Sequence, residues 1–234
     1  MFVTSLARVA VVLFSVGVIV LSGPWGAPDL RLQPGKPGLS VDGGDTGRGE
    51  ALYRKLDCMR CHSEPRTAVG TNAPATLLIA GTRAPAHWLA TYLRDPKPLR
   101  YASEGVLPRL RMPGFSLTET EAADLAAFLA IQKDPILVPP RPDIVARLGD
   151  ARLIAEGRTL FEEYQCLGCH QIGDQGSKVG PPLDRVGTRR TPEYVAALLE
   201  NPDRIVPGTA MKNHDLWDEE IESLTVYLLT LQGP

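Results

Sequence analysis

Cys58, Cys61 and His62 stand in the run Cys-Met-Arg-Cys-His, and Cys166, Cys169 and His170 in the run Cys-Leu-Gly-Cys-His. The two runs use every cysteine in the chain. Two thiols spaced by two residues, followed at once by an imidazole, suit one chemistry above others. The thiols add to the two vinyl groups of a porphyrin, and the histidine becomes the proximal ligand of its iron; this is the attachment signature of c-type haem. One helical turn sets both sulfurs and the imidazole along one edge of the macrocycle. Other uses of paired cysteines fit less well. The pairs lie over a hundred residues apart, far from the spacing of a zinc ribbon. A thioredoxin-like pair has no need of a histidine after each second cysteine. Disulfides within each pair leave both histidines unexplained. The expected cofactors are two covalently bound haem c groups.

A proximal histidine leaves the opposite face of each iron to be filled, and that ligand decides the chemistry. A methionine thioether there raises the potential and closes the iron to oxygen. Of four methionines, Met1 is terminal and Met59 lies inside the first motif. Met112 and Met211 remain, each in a loop rich in turn residues. Burial in a core is the commoner fate of a methionine, but the matched positions of these two favour iron ligation. His87 reads as an exposed helix residue. His214, three residues after Met211, is a rival ligand or a residue at the haem edge.

The matching is part of a longer internal repeat. Gly49 and Tyr53 precede Cys58 as Gly157 and Phe161 precede Cys166. Gly81-Thr82-Arg83 recurs as Gly187-Thr188-Arg189, and Leu93-x-Asp95-Pro96 as Leu199-x-Asn201-Pro202. Phe128 follows Met112 at the distance at which Tyr227 follows Met211. The first copy is nine residues longer between cysteine and methionine. Each copy reads as helical: a first helix ends at the haem motif, and a middle helix spans 85–94 or 192–200. A last helix follows the methionine, opened in copy one by the capping box Thr118-x-x-Glu121. Its apolar face carries Leu125, Phe128 and Leu129, or Leu224, Tyr227 and Leu228. No strand alternation stands out.

Composition narrows the class. The chain has 234 residues and a formal net charge of −2, unlike the basic balance of a nucleic-acid binder. Its 21 prolines and 22 glycines fit short helices joined by stiff loops. Residues 9–21 are almost wholly apolar, Arg8 precedes them, and Trp25 lies beyond. This is a cleaved signal segment or an uncleaved anchor. The absence of a good small-residue cleavage site favours the anchor, with Arg8 inside and the haem domains outside. The expected fold class is all-α: two tandem haem domains behind one N-terminal transmembrane helix. The boundaries read as anchor 1–25, Gly/Pro-rich linker 26–47, first domain 48–133, Pro-rich linker 134–149 and second domain 150–234. The first linker is expected to tether the body to the membrane, and the second, with Pro135, Pro139, Pro140 and Pro142, to be extended and semi-rigid.

These residues resemble the class I cytochrome c family over about 45–132 and 150–232. The resemblance rests on the Gly-x-x-x-aromatic first helix, the haem motif, a Gly-Pro-x-Leu stretch, the methionine loop and the aromatic of the last helix. It implies that Gly49 meets Phe128 and that Gly157 meets Tyr227. It also implies that the carbonyl of Pro181, in Gly180-Pro181-Pro182-Leu183, accepts the proximal imidazole N–H. Copy one departs here, because residues 69–74 lack a clean Gly-Pro. By architecture the chain also resembles dihaem subunits of respiratory cytochrome bc or haem–copper oxidase complexes.

The expected function is single-electron transfer without bond chemistry, between a quinol-oxidising complex and a terminal oxidase or other acceptor. The protein is then not an enzyme itself, and its place is the cell membrane with the haems on the periplasmic side. The alternatives, a dihaem peroxidase or a haem-based ligand sensor, each need an open iron. Arg83 and Arg189 are candidate partners of haem propionates. Arg94, Arg109 and Arg111, beside the insertion 97–104, are candidates for docking an acidic redox partner or an ordinary solvated face.

Overall fold

Residues 32–62, 76–97, 99 and 112–233 are described in the computed structural model. The expected anchor, the stretch 69–74, Arg109, Arg111 and most of the insertion 97–104 lie outside the described residues. Among the described residues no helix is long and apolar enough to cross a membrane.

The first unit opens with a hairpin, β1 (Ser40–Val41) and β2 (Gly44–Asp45). Asp42 and Gly43 between them both take positive φ, the pair a two-residue hairpin turn requires. The Asp45 carboxylate then caps α1 (Thr46–Lys55) by accepting from the Arg48 N–H. The short α2 (Ala80–Arg83) and the middle helix α3 (Ala86–Arg94) follow, with Pro85 as the N-cap of α3. The last helix, α4 (Glu119–Ala130), starts at the expected Thr118/Glu121 capping box.

The second unit repeats the plan. After α5 (Pro142–Ala146) come α6 (Ala151–Glu163), a hairpin of β3 (Gln171–Ile172) and β4 (Gln175–Gly176), and α7 (Val186–Arg189). Then come α8 (Pro192–Glu200), α9 (Pro202–Ile205) and α10 (Asp218–Leu229). The two hairpins are too short to leave an alternating pattern in the sequence.

In each unit the first and last helices cross at a glycine. A Cβ on Gly49 would overlap the Asp124 carbonyl and lie 2.7 Å from the Phe128 Cβ. A Cβ on Gly157 would overlap the Ser223 carbonyl and lie 2.7 Å from the Tyr227 Cβ. The bare glycines let the backbones touch, so Tyr53 packs on Phe128 and Phe161 on Tyr227, with ring centroids 5.3 and 5.5 Å apart. Gly81 and Gly187 pack against the ends of α4 and α10 and donate to the carbonyls of Gln132 (3.0 Å) and Leu231 (2.9 Å).

Two expectations need correction. Residues 32–47 are not a free linker but a strap on the first unit. Gln132, itself buried, accepts from the Gln33 N–H (2.6 Å) and donates to the Gln33 carbonyl (3.0 Å). Asp124 accepts from the Asp45 N–H (2.7 Å) and takes two bonds from the Arg48 guanidinium (2.6 and 2.7 Å). Glycine and proline allow the strap its turns, and side chains from α1 and α4 satisfy its amides.

Residues 134–149 are likewise packed rather than extended. Leu137 and Val138 are buried in one cluster with Ile79 of the first unit and Tyr194, Ala197 and Ile205 of the second. Ile144 of α5 is buried among Leu153, Ala196, Ile221 and Val226. Burying these apolar side chains offsets the entropy of ordering the segment. The units also touch directly: Thr191 Oγ1 donates to the Thr82 carbonyl, and the Thr191 N–H to the Arg83 carbonyl (3.4 Å).

Candidate haem sites

Each cysteine pair sits on a tight turn made by stopping the first helix abruptly. After α1, Asp57 takes a left-handed conformation (φ 52°) and Cys58–Arg60 winds as a 3-10 turn. After α6, Gln165 does the same (φ 53°) before Cys166–Gly168. A non-glycine residue in this region costs roughly 1–2 kcal/mol. Such strain at matched positions is a mark of a functional turn. The turns close identically: the His62 N–H donates to the Cys58 carbonyl (3.0 Å) and the His170 N–H to the Cys166 carbonyl (2.9 Å).

All four thiols are free. Cys58 and Cys166 are half-buried against the two helical cores, while Cys61 and Cys169 are exposed. Burial pushes the Cys166 thiol up to about 11 and raises that of Cys58 as well. Both therefore stay protonated and resist oxidation at neutral pH. Among the described residues no group of three or more His, Cys, Asp or Glu side chains gathers as a metal site. The four cysteines do not meet, as a shared zinc site would need.

The second site shows how an imidazole is aimed. His170 Nδ1 lies 2.8 Å from the Pro181 carbonyl. A carbonyl only accepts, so Nδ1 carries the proton and Nε2 keeps its lone pair for a metal. Gly180 lies against the ring: a Cβ there would sit 2.7 Å from the imidazole Cε1 and Nδ1. The Gly180 N–H donates to the Cys169 carbonyl (2.6 Å), which ties this loop to the cysteine turn. Arg189 donates to the Pro182 carbonyl, one residue beyond the histidine's acceptor.

In the first site His62 is half-buried, and the stretch aligned with Gly180-Pro181 falls largely outside the described residues. Its arginine bond is kept. Arg83 donates to the Thr76 carbonyl (3.3 Å), and the repeat aligns Thr76 with Pro182. Arg83 Nε is buried with no hydrogen-bond partner among the described residues. A carboxylate from a bound group would satisfy it.

Met112 packs half-buried against the first core, beside the group that includes Cys58. Met211 is half-buried in the loop between α9 and α10, its N–H on Thr209 Oγ1 (3.2 Å). Four residues after each methionine the chain takes a left-handed turn, at Ser116 and Asp215 (both φ 51°). That shared turn passes unseen in the sequence because neither residue is glycine. His214 sets its ring edge-on to Tyr164, centroids 5.4 Å apart, and His87 is exposed. Also missed was a cluster between the units, where Arg83 and Arg190 both lie over the Tyr194 ring, 5.6 and 5.4 Å from its centroid.

The turn, the free thiols, the aimed imidazole and the unsatisfied arginine together fit a covalently held haem. The sequence model of the family described as Cytochrome c matches residues 47–132 and 154–232. The chain belongs to the cytochrome c family. Membership implies covalently bound haem c and electron carriage. Cytochrome c oxidase subunit 2 of Alkalihalophilus pseudofirmus is 34% identical over 92 residues, covering 34% of this chain and 26% of the relative. This cytochrome c thus spans about a quarter of that relative's length. No solved structure matches the chain.

Proposed function

We propose that this protein is a dihaem cytochrome c that passes single electrons in a membrane respiratory chain. Its residues 1–25 form the anchor, and its haem domains stand on the periplasmic side. The bond from His170 Nδ1 to the Pro181 carbonyl carries the reading, since it commits Nε2 to a metal directly after the paired thiols. When bound, each haem supplies a one-electron iron couple. The chain's residues do the rest. Cys58, Cys61, Cys166 and Cys169 hold the two groups by thioether bonds. His62, His170, Met112 and Met211 would be the iron ligands, and a histidine–methionine pair on each iron would leave no site for oxygen. The Pro181 carbonyl fixes the His170 tautomer and makes Nε2 a stronger donor. Arg83 and Arg189 pair with propionates while holding their loops.

The chain would stand beside a quinol-oxidising complex or a terminal oxidase, as subunit or tethered partner; the similarity to an oxidase subunit supports the second of these. Replacing Met112 or Met211 by alanine tests the ligand set. Each variant should lose half of the far-red sulfur-to-iron absorption of the oxidised protein. An unchanged spectrum after either change would end this reading.

A further inference from the structure

We infer that Tyr194 is the bridge through which the two haem domains exchange electrons; the inference rests on the dihaem reading above. The ring lies under Arg83 of the first domain and Arg190 of the second. On one side Arg189 holds the Pro182 carbonyl, next to the Pro181 carbonyl that holds His170. Arg190 Nη1 donates to the Arg189 carbonyl (3.1 Å) and its guanidinium lies over Tyr194. On the other side Arg83, which holds Thr76 in the first domain, lies over the same ring. The contacts run without a gap from the second proximal histidine to the matching loop of the first domain.

Tyr194 is 5% exposed, so packed atoms rather than water fill the crossing. Tunnelling decays more slowly through packed matter than across a gap. Two guanidiniums held near one ring repel each other, and cation–π attraction together with the propionates of two haems would offset that cost. The interface is also fixed. Thr191 bonds the Thr82 carbonyl and accepts from the Tyr194 N–H (3.3 Å), so one residue ties both the domain contact and the start of α8. The repeat aligns Tyr194 with Trp88, which instead stacks on Tyr92 within its own domain, centroids 5.0 Å apart. In the exchange one iron loses the single electron that the other gains, and no proton or bond changes hands.

Half-reduced full-length protein carrying Tyr194→Leu or Tyr194→Phe provides the test. Exchange between haem-methyl proton resonances reads the rate, and X-ray scattering reads domain docking. Tyr194→Phe should exchange at the native rate. Tyr194→Leu should exchange severalfold more slowly, with native haem spectra and native scattering. Exchange at the native rate in Tyr194→Leu would overturn the bridge, as would slowing found only where scattering shows the domains apart. A protein holding fewer than two haems, or one with altered ligand spectra before any change at Tyr194, would instead overturn the dihaem reading.

Discussion

The two domains share the cysteine turn and the helix crossing and differ where the chain enters each fold. Both stop the first helix with a left-handed residue, wind the cysteines into a 3-10 turn and cross helices at a glycine. The difference lies one turn before the aromatic of the last helix. There the first domain has Asp124, whose buried carboxylate ties down the entering strap through Asp45 and Arg48. The second has Ser223, whose buried hydroxyl makes no hydrogen bond among the described residues, beside the apolar cluster of Ile144, Leu153 and Val226. The first domain secures its entering chain through a carboxylate buried at the helix crossing; the second does so by burying Ile144 and by an Arg147–Glu222 ion pair on α10 (3.0 Å). The cysteine turn keeps one geometry in both copies, while the entry varies, because any arrangement that satisfies its backbone suffices.

The crossing should be the most sensitive common point. Gly49→Ala and Gly157→Ala each drive a methyl into a backbone carbonyl, which cannot swing away, and each should cost about 3 kcal/mol in its own domain. Denaturant titration followed through the haem bands of each domain checks this. Equal tolerance of alanine at both sites would break the shared part of the comparison.

The entry should separate the domains. Asp124→Ala should destabilise the first domain by about 1.5 kcal/mol, the low end for charged hydrogen bonds. The low end applies because the Arg48 side chain is 61% exposed and its charge is screened. Ser223→Ala should be close to neutral, since no described bond is lost. Acid acts on the same bond. The Arg48 guanidinium bonded to Asp124 holds its carboxyl below the ordinary value of 3.8. A lowered folded pKa means the bond's stability is present above that value and is lost as pH falls through the folded one. Acid should therefore loosen the strap of the first domain, with faster amide exchange over residues 32–45 as pH falls through the folded value. Asp124→Asn should reduce that pH dependence and leave the share of Asp45 and Glu50, whose carboxylates also accept strap amides.

The family and its two copies were legible in the sequence. Cysteine and histidine at fixed spacing name their own cofactor, and the repeat picked out Gly49, Gly157, Met112 and Met211 as matched positions. The middle helix of the second domain begins and ends at the expected residues, Pro192 and Glu200. The strap was not legible. Its composition is that of a linker, and its partners Asp124 and Gln132 lie 79 and 99 residues away from the amides they bind. In the second linker Leu137, Val138 and Ile144 stood among the prolines as a signal of burial. The left-handed residues Asp57, Gln165, Ser116 and Asp215 carry no glycine to mark them. Tyr194 reads as an ordinary core aromatic until the two domains are brought together.

Exposure of the reduced protein to carbon monoxide at neutral pH tests the central claim most directly, because the gas binds only an iron with a free sixth position. With both irons held by histidine and methionine, the optical spectrum should not change. Uptake of one full equivalent per protein would contradict the account and point to an open, reactive haem.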